Sequence, residues 1–314
     1  MKTKPAISVV IPVYRGESTL ESLVNELLKT LPDLSSKFEI ILVNDGSPDS
    51  SWEIIDRLSI KHKSVKGIRL MRNYGQHNAL LCGIRAARYE IIVTMDDDLQ
   101  HPPEEIPILL GALEEGCDVV YGTPKELPHS IWRNLTSYLT KRALAYAMGI
   151  KTIRNMSGFR ALRTDLRDAF ASYQNPNVQL DVLLSWGTTK FGAAKVKHMP
   201  RAIGRSNYNF AILFNRALAV LTGFSTAPLR LASIVGFAST SFGLLILIYV
   251  AGRYFLEGSI PGFPFLASMI CVFSGAQLFT LGIFGEYLAR IFNRSMDRPS
   301  YVFKSAATKQ EDQS

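Results

Sequence analysis

The sequence predicts an α/β protein with a doubly wound, mostly parallel sheet, followed by two membrane-spanning helices. Two observations predict this architecture. Apolar, strand-like runs alternate with helical patterns from Ala6 to Gly122, and two long uncharged stretches follow Pro228. Alternation of strands and helices is typical of parallel sheets, because each connection between parallel strands needs a crossover. The 314 residues suffice for one large domain with an appended membrane part.

The predicted strands are short apolar runs, and the best of them are rich in Val and Ile, as in strands buried on both faces. We expect strands at Ala6 to Val13, Phe38 to Val43, Val65 to Leu70, Ile91 to Met95 and Val119 to Gly122. Leucines at helical spacing predict a helix that starts near Leu20 and stops near Pro32. A further helix is predicted from Ala79 to Arg88.

Carboxylates follow two of these strands. Asp45 follows the second strand, and Asp96, Asp97 and Asp98 follow the strand that begins at Ile91. Ligands of open α/β sheets bind at the carboxyl ends of the strands, so these side chains lie where chemistry is expected. No GxGxxG follows the first strand and no Walker lysine motif is present, which argues against a dinucleotide-binding domain.

The spacing of the acidic run suggests a metal site. Alternate residues of an extended segment share a face, which places Asp96 and Asp98 together, Gln100 two further on and Asp97 on the opposite face. Hard oxygen ligands in this arrangement suit Mg²⁺ or Mn²⁺. A solvated acidic turn is the alternative interpretation, and the preceding strand and the following Pro-Pro pair count against it.

Charge and cysteine content narrow the class of ligand. The formal net charge is +8, and no run of five or more like charges and no nucleic-acid motif occurs. This favours anionic lipid or a phosphorylated substrate, and no nucleic acid is expected as a partner. Cys82, Cys117 and Cys271 lie far apart, which indicates neither a disulfide framework nor a CxxC metal site.

The C-terminal third predicts a membrane part. About 22 uncharged residues separate Arg230 from Arg253, and a second uncharged stretch runs from Gly258 to Gly285; both exceed the roughly 20 residues that cross a bilayer. We expect spans at about 231–252 and 263–285. Apolar residues at helical spacing from Asn209 to Phe224 predict an interfacial helix, although a core helix would have the same pattern.

Six motifs, in this order, resemble those of the family 2 glycosyltransferases: SVVIPVY, VNDGSPDS, RNYGQH, MDDDLQHPPEE, SGFRAL and RAIGRS. More narrowly, they are similar to polyisoprenyl-phosphate glycosyltransferases, which include dolichol-phosphate mannose synthases, undecaprenyl-phosphate glucosyltransferases and undecaprenyl-phosphate 4-deoxy-4-formamido-L-arabinose transferases. The likeness continues to GEYLARIF and RPSYVF near the C-terminus. It implies a GT-A fold and a membrane-bound, inverting enzyme that moves one sugar from a nucleotide sugar, expected to be a UDP-sugar, to undecaprenyl or dolichyl phosphate. Such a product would serve cell-envelope glycan or lipid modification.

The resemblance also implies roles for individual residues. Asp96 and Asp98 are expected to be catalytic and, with Gln100, to bind the metal. The residues expected around the nucleotide sugar are Pro12, Tyr14, Glu17, Val43, Asp45, Asp97, Lys125 and Arg201. Those expected to bind the acceptor phosphate are Arg133, Arg160, Arg205 and Ser206.

This sequence departs from the family pattern at several positions. The family usually has an acidic residue where this chain has Gly16, and a basic residue that appears here, slightly displaced, as Lys125. Its common lysine in the last motif is Asn207 here, with Arg205 as the substitute charge. An acidic residue found in some relatives corresponds to Asn155, which weakens any proposal for a general base there.

These expectations divide the chain into a GT-A catalytic domain at 1–208, an interfacial amphipathic helix at 209–227, two transmembrane helices within 228–292 and a cytoplasmic tail at 293–314. The arginine-rich and aromatic stretch from Ser130 to Met148 is either a second helix on lipid headgroups or an ordinary solvated helix. The expected location is the inner (plasma) membrane, multi-pass, with a cytoplasmic catalytic domain. Whether the chain forms a homo-oligomer is left open.

Two other functions compete with this hypothesis. A processive polysaccharide synthase shares the nucleotide-binding half, but the QxxRW motif typical of such synthases is absent. A non-catalytic membrane scaffold on a transferase fold is the other alternative, and the intact Asp45, Asp96 and Asp98 argue against it. Binding of UDP and Mn²⁺ separates an enzyme from such a scaffold.

Overall fold

The computed structural model describes residues 4–124, 156–199, 227–257 and 262–307. Its strands are β1 Ala6–Val13, β2 Lys37–Asn44, β3 Val65–Leu70, β4 Ile91–Thr94, β5 Val119–Pro124, β6 Arg160–Arg163, β7 Phe191–Val196 and β8 Phe303–Ala307. Its α-helices are α1 Leu20–Leu34, α2 Ser51–Lys61, α3 Gln76–Ala86, α4 Ile106–Glu114, α5 Leu180–Gly187, α6 Ala227–Glu257 and α7 Phe263–Ser295. Short 3₁₀ helices occupy Pro103–Glu105 and Thr164–Phe170.

The strands form one mixed sheet in the order β7-β5-β6-β4-β1-β2-β3-β8. The central pairs β4-β1, β1-β2 and β2-β3 are parallel, as is β5-β7. Strand β6 is antiparallel to both of its neighbours, and β8 is antiparallel to β3. The predicted α/β sheet of mostly parallel strands is therefore confirmed.

Apolar cores cover both faces of the sheet, which explains why the central strands read as continuous apolar runs. Val9 and Ile11 of β1 face one core with residues of α1, α2 and α4, whereas Val10 faces the other with residues of α3 and α5. The alternation of neighbouring side chains between two buried faces leaves no polar position within β1 except Ser8, which is buried as well.

Several predicted boundaries differ from the structure, and three of the differences have a clear structural cause. Helix α1 continues through Pro32 to Leu34, because Leu31 is buried in the core and its carbonyl accepts the N–H of Ser35 at 3.0 Å. Helix α3 begins three residues before the predicted Ala79, since a distant carboxylate holds the preceding amides, as described below. Strand β5 extends past Gly122 to Pro124 because β7 pairs alongside it.

The C-terminal segment contributes an edge strand that the sequence analysis did not predict. Residues 293–314 were expected to form a tail, but β8 pairs with β3, with Ser305 opposite Arg69. By its contacts, Asp297–Ser314 belongs to one compact unit with Met1–Tyr208, and Asn209–Met296 forms a second unit. The α/β unit is thus built from two parts of the chain, separated by the unit that holds α6 and α7.

The second unit contains a helix suited to a membrane. Within α6, Pro228–Leu256 is long and apolar enough to span a bilayer, and it is the only such helix among the residues described. Its large apolar side chains are exposed, Phe237 at 77% for example. Helix α7 covers the predicted second span at 263–285, and its role as a span stays a prediction. The helices predicted at 130–148 and 209–224 lie outside the described residues.

Candidate functional site

A cleft of about 250 Å³ opens at the carboxyl edge of the sheet. It lies between the ends of β1, β2 and β4 and the start of α3. Its lining consists of Pro12, Val13, Tyr14, Asp45, Asn73, Gly75, Gln76, Asp96, Asp97 and Asp98. Parallel strands bring their carboxyl ends to one edge, and this register gathers acidic residues from positions 45 to 98 of the chain.

Asp45 joins the end of β2 to the start of α3. Asp45 is only 3% exposed, and its carboxylate accepts hydrogen bonds from the backbone N–H groups of Tyr74 at 2.7 Å and Gly75 at 2.8 Å. Burial raises the pKa of Asp45 above its ordinary value, and these two amide donors oppose that rise. The carboxylate therefore sets where α3 begins.

Gly46 permits this close approach. Its φ of +64° favours glycine, and a Cβ added there would lie 2.5 Å from the backbone carbon of Arg72. The glycine of the NDGS motif is therefore required by a backbone that passes directly over the turn.

Asp96 is held by groups from two other segments. Its carboxylate accepts a hydrogen bond from the side-chain amide of Gln76 at 2.6 Å. A Cβ added at Gly158 would lie only 2.7 Å from an Asp96 carboxylate oxygen, so the absence of a side chain there makes room for the acid. Gln76 and Gly158 together fix the carboxylate at the end of β4.

Asp97 departs from the predicted alternation. Strand β4 ends at Thr94 and the chain bends through Leu99, which has a φ of 59°, so extended geometry does not apply to the acidic run. Asp97 lines the same cleft as its neighbours and accepts the Tyr14 backbone N–H at 3.3 Å. The prediction that its side chain points to the opposite face is wrong.

Three adjacent carboxylates affect one another. Burial raises the pKa of Asp97 to about 7, and the nearby charges of Asp96 and Asp98 add to the rise, while the Tyr14 N–H opposes it. The cleft is thus an environment in which negative charge is costly unless a cation shares it.

The loop after Asp98 is held by Met199, which follows β7, and by Phe159. The Gln100 N–H donates to the Asp98 carboxylate at 3.2 Å, and its carbonyl accepts the Met199 N–H at 2.8 Å. His101 stacks on the Phe159 ring with 5.0 Å between centroids. Burial lowers the pKa of His101 to about 4, aided by the nearby His198, so its imidazole is neutral at pH 7. His101 is a packing group in this loop.

The structure brings together only part of the predicted site. Of the described residues, Pro12, Tyr14, Asp45, Asp96, Asp97 and Asp98 line the cleft together. Val43 is buried beneath it, and Gln100 is not among the lining residues. Lys125, Arg133, Arg201, Arg205 and Ser206 lie outside the described residues, and their roles stay predictions.

Glu17 and Arg160 have partners elsewhere. The Glu17 carboxylate accepts the Ser50 N–H at 3.1 Å, at the start of α2. Arg160 is 3% exposed, pairs with the carboxylate of Asp181 and lies over the Tyr121 ring. The acceptor-phosphate role expected of Arg160 stays a prediction for a guanidinium that already has an anionic partner.

The sequence pattern predicts no role for Asn73, Gly75, Gln76 or Gly158, although all four contribute to the cleft or its support. Each lies in a motif that carried the family resemblance, RNYGQH or SGFRAL. That membership was the available signal. The contacts of Gln76 and Gly158 with Asp96 could not be predicted in this way, because they join residues that are far apart in the sequence.

The oxygen atoms in the cleft fit a divalent cation whose remaining ligands include a phosphate. Within the described ranges, no group of three or more His, Cys, Asp or Glu side chains is arranged to enclose a metal. Mg²⁺, however, is usually held by one or two carboxylates, with waters and substrate phosphates completing the shell. Asp96 and Asp98 supply two such carboxylates, and a cation beside them would offset the charge that raises the Asp97 pKa.

Comparisons with known proteins agree with this geometry. Residues 8–169 match the sequence profile described as Glycosyl transferase family 2. The chain is 36% identical over 299 residues to the undecaprenyl-phosphate 4-deoxy-4-formamido-L-arabinose transferase of Shewanella sediminis (strain HAW-EB3), covering 94% of this chain and 90% of that protein. It is 35% identical over 306 residues to the protein of the same name from Proteus mirabilis (strain HI4320), covering 95% and 93%.

A solved structure shares the fold. The glucosyl-3-phosphoglycerate synthase of Mycobacterium tuberculosis, crystallised with Mn²⁺ and uridine-diphosphate-glucose, superposes with a TM-score of 0.51. The match covers 69% of this chain and 77% of that one, at 20% sequence identity. At this identity the likeness extends to the fold alone.

The approach of Gly158 to Asp96 generates a prediction. In Gly158→Ala the new Cβ would displace the Asp96 carboxylate, and Mn²⁺ affinity should fall about 10-fold to 100-fold, as when a group that orients a metal ligand is lost. Titration of Mn²⁺, followed by its electron paramagnetic resonance signal, measures this. Gly111→Ala is the control, because nothing lies within 4 Å of its added Cβ in α4. Equal Mn²⁺ affinity in the two variants would contradict the assignment.

Proposed function

Because the chain belongs to glycosyl transferase family 2, we propose that it is a membrane-bound enzyme that transfers one sugar from a nucleotide sugar to a polyprenyl phosphate. One observation carries the choice of acceptor. Over more than nine-tenths of its length the chain is similar to undecaprenyl-phosphate sugar transferases, and that span includes α6 and α7 as well as the α/β unit. Undecaprenyl phosphate is therefore the first acceptor to test, and a UDP-sugar is the proposed donor.

The nucleotide sugar is proposed to bind in the cleft at the carboxyl edge. Pro12 and Tyr14 at the end of β1 and Asp45 at the end of β2 line it, as the resemblance implied for the nucleotide. Asp96 and Asp98 are the proposed ligands of Mg²⁺ or Mn²⁺, and Gln100, in the next turn of the loop, donates its N–H to Asp98. Bound there, the cation would supply positive charge to the diphosphate leaving group.

The protein's own residues act mainly by positioning. Gln76 holds the Asp96 carboxylate through its amide, and Asp97 holds the backbone at Tyr14. These contacts fix the carboxylates before substrate arrives, so little reorganisation is needed during the reaction.

The transfer itself is a single displacement. An oxygen of the acceptor phosphate attacks the anomeric carbon, a carbon–oxygen bond forms there, and the bond to the nucleotide diphosphate breaks. A phosphate monoester is already ionised near neutral pH, so the nucleophile needs no protein base. We propose that Arg133 and Arg205, the basic residues predicted for this phosphate that lie outside the described residues, bind the lipid headgroup.

The proposed location is the inner (plasma) membrane, with the α/β unit in the cytoplasm. Arg230 precedes the predicted span at 231–252, and Arg290, Arg294, Arg298 and Lys304 follow the predicted span at 263–285. Between these two spans the charged residues are only Arg253 and Glu257. An excess of Lys and Arg marks the cytoplasmic side of membrane helices. Cysteine labelling of Ser259→Cys should succeed only from the outer side. Labelling from the cytoplasmic side alone would contradict this topology.

The proposed metal ligands can be tested by a change that preserves shape. Asp98→Asn removes one anionic ligand, and turnover with a UDP-sugar and undecaprenyl phosphate should fall about 100-fold or more, since a catalytic cation supplies several kcal/mol. EDTA should abolish activity in the unaltered enzyme, and added Mg²⁺ or Mn²⁺ should restore it. Asp33→Asn, the same chemical change at an exposed site, should keep full activity. Full turnover in Asp98→Asn would rule out this role.

The product distinguishes single transfer from its competitor, a processive synthase. We expect one sugar on lipid phosphate, with the anomeric configuration inverted relative to the donor, because one direct attack inverts the centre. Chromatography of the lipid product and NMR of the anomeric proton measure both features. Chain elongation, a retained configuration or equal transfer to a water-soluble sugar acceptor would each exclude the proposed reaction.

A further inference from the structure

The first turn of α3 is the meeting point of the cleft and the rest of the α/β unit. Four consecutive residues each reach a different segment: the Gly75 N–H donates to Asp45, Gln76 donates to Asp96, and His77 accepts the Leu180 N–H at 3.4 Å. Asn78 points away from the cleft and is 3% exposed. This turn is therefore in direct contact with two cleft carboxylates, those of Asp45 and Asp96.

Asn78 ties this turn to the segment that follows α7. Its side-chain amide donates to the carbonyl of Ser300 at 2.8 Å and to the carbonyl of Pro176 at 2.9 Å. An amide NH₂ has two hydrogens, so both donors are used, and the rotamer of Asn78 is set by two separate segments. Asn78 and Ser300 are 222 positions apart in the sequence.

The segment 297–307, termed here the return segment, is itself firmly held. Ser300 is 1% exposed, and its hydroxyl donates to the carbonyl of Asn175 at 3.0 Å. The Val302 carbonyl accepts the Met71 N–H at 2.9 Å, and β8 then pairs with β3. The return segment is thus joined to the loop at 173–177 and to β3, as well as to α3.

The other end of α3 is fixed against the same elements. Arg85 donates to the carbonyls of Phe170, Ala171 and Tyr173, the last at 2.7 Å, and its guanidinium lies over the Tyr301 ring at 5.8 Å. Both ends of α3 therefore rest on the return segment and its supporting loop. Because α3 is held at both ends, its first turn has little freedom to move.

We propose that the return segment is a working part of the donor site, with Asn78 and Ser300 as positioning residues that hold Gly75 and Gln76 against the cleft carboxylates. This rests on the proposed function, since it concerns binding of the nucleotide sugar. The consequence is that the donor site is completed only when the chain has passed through the membrane part and come back. Binding geometry at such sites tolerates little displacement, so loss of either residue weakens donor binding.

The test compares three variants of the full-length chain in detergent. Asn78→Ala removes the amide that donates to the Ser300 and Pro176 carbonyls, and Ser300→Ala removes the hydroxyl that holds the return segment to Asn175. Ser35→Ala is the matched control. Ser35 is also buried, and its hydroxyl oxygen lies 2.7 Å from the backbone carbonyls of both Pro5 and Lys37, one of which accepts its hydrogen. This contact is at the opposite edge of the sheet from the cleft. Comparison with Ser300→Ala therefore separates positioning from general loss of stability.

Calorimetric titration of UDP with Mn²⁺ gives the first readout. The dissociation constant should rise about tenfold or more in Asn78→Ala, the usual effect of losing a group that orients metal ligands, and by less in Ser300→Ala. The KM for undecaprenyl phosphate should stay unchanged in both. Ser35→Ala should lower the midpoint of thermal unfolding by about as much as Ser300→Ala does, and it should keep wild-type UDP affinity. Wild-type affinity in Asn78→Ala and Ser300→Ala, or an equal loss in Ser35→Ala, would overturn the inference.

Amide hydrogen exchange gives a readout that does not depend on the nucleotide. Exchange at residues 74–79 should quicken in Asn78→Ala and Ser300→Ala and stay unchanged in Ser35→Ala. If the unaltered protein binds no UDP, the proposed function fails, and exchange at these amides still decides whether the return segment holds α3. Unchanged exchange in both test variants would overturn that claim by itself. If Asn78→Ala does not fold, Ser300→Ala carries both measurements.

Discussion

The structure depends on the gathering of four carboxylates at one edge of the sheet. Asp45, Asp96, Asp97 and Asp98 arrive there because parallel strands end at the same edge, and each must be compensated in a partly buried cleft. Backbone N–H groups compensate Asp45 and Asp97, and the Gln76 amide compensates Asp96. Burial raises the pKa of Asp97, and the charges of Asp96 and Asp98 add to that rise. Negative charge gathered in this way makes the cleft receptive to a cation.

A contrasting carboxylate lies within the same sheet. Glu39 is buried beside Ser8, yet Lys66 pairs with it at 2.9 Å and the Arg88 backbone N–H donates to it at 2.8 Å. Burial alone would raise the pKa of Glu39, but hydrogen bonds from Lys66, Ser8 and Arg88 bring it below the ordinary value. Glu39 has a cationic partner in Lys66, whereas Asp97 is buried beside the charges of Asp96 and Asp98. This difference marks the cleft as the site of ligand chemistry.

Fold and function are supported by different observations. The fold is shared, at 20% identity, with a synthase crystallised with uridine-diphosphate-glucose, so this architecture alone does not specify an acceptor. The proposed acceptor rests instead on relatives that match through the membrane part, and on a helix, Pro228–Leu256, whose apolar side chains are exposed. The return segment brings the chain back into the α/β unit directly after α7.

The sequence by itself determined the central strands, the acidic strand ends and the apolar span. These features are local, because each can be recognised within about 20 residues. They are the Val and Ile runs, the DDD run before Pro-Pro and the uncharged stretch. The family followed from six such motifs taken in order. Local pattern also determined that Asp45, Asp96 and Asp98 would share an edge, since that edge follows from parallel pairing.

Only the tertiary structure decided which face Asp97 uses, what holds Asp96 and where α3 begins. The acidic run lies beyond the end of β4, where strand alternation no longer applies, so Asp97 turns into the cleft. Gln76 and Gly158 reach Asp96, and Ser300 reaches Asn78, across sequence separations that no periodicity encodes. A hydrogen bond between distant residues leaves no local sequence pattern, because its donor and acceptor meet only after the sheet has brought their segments together.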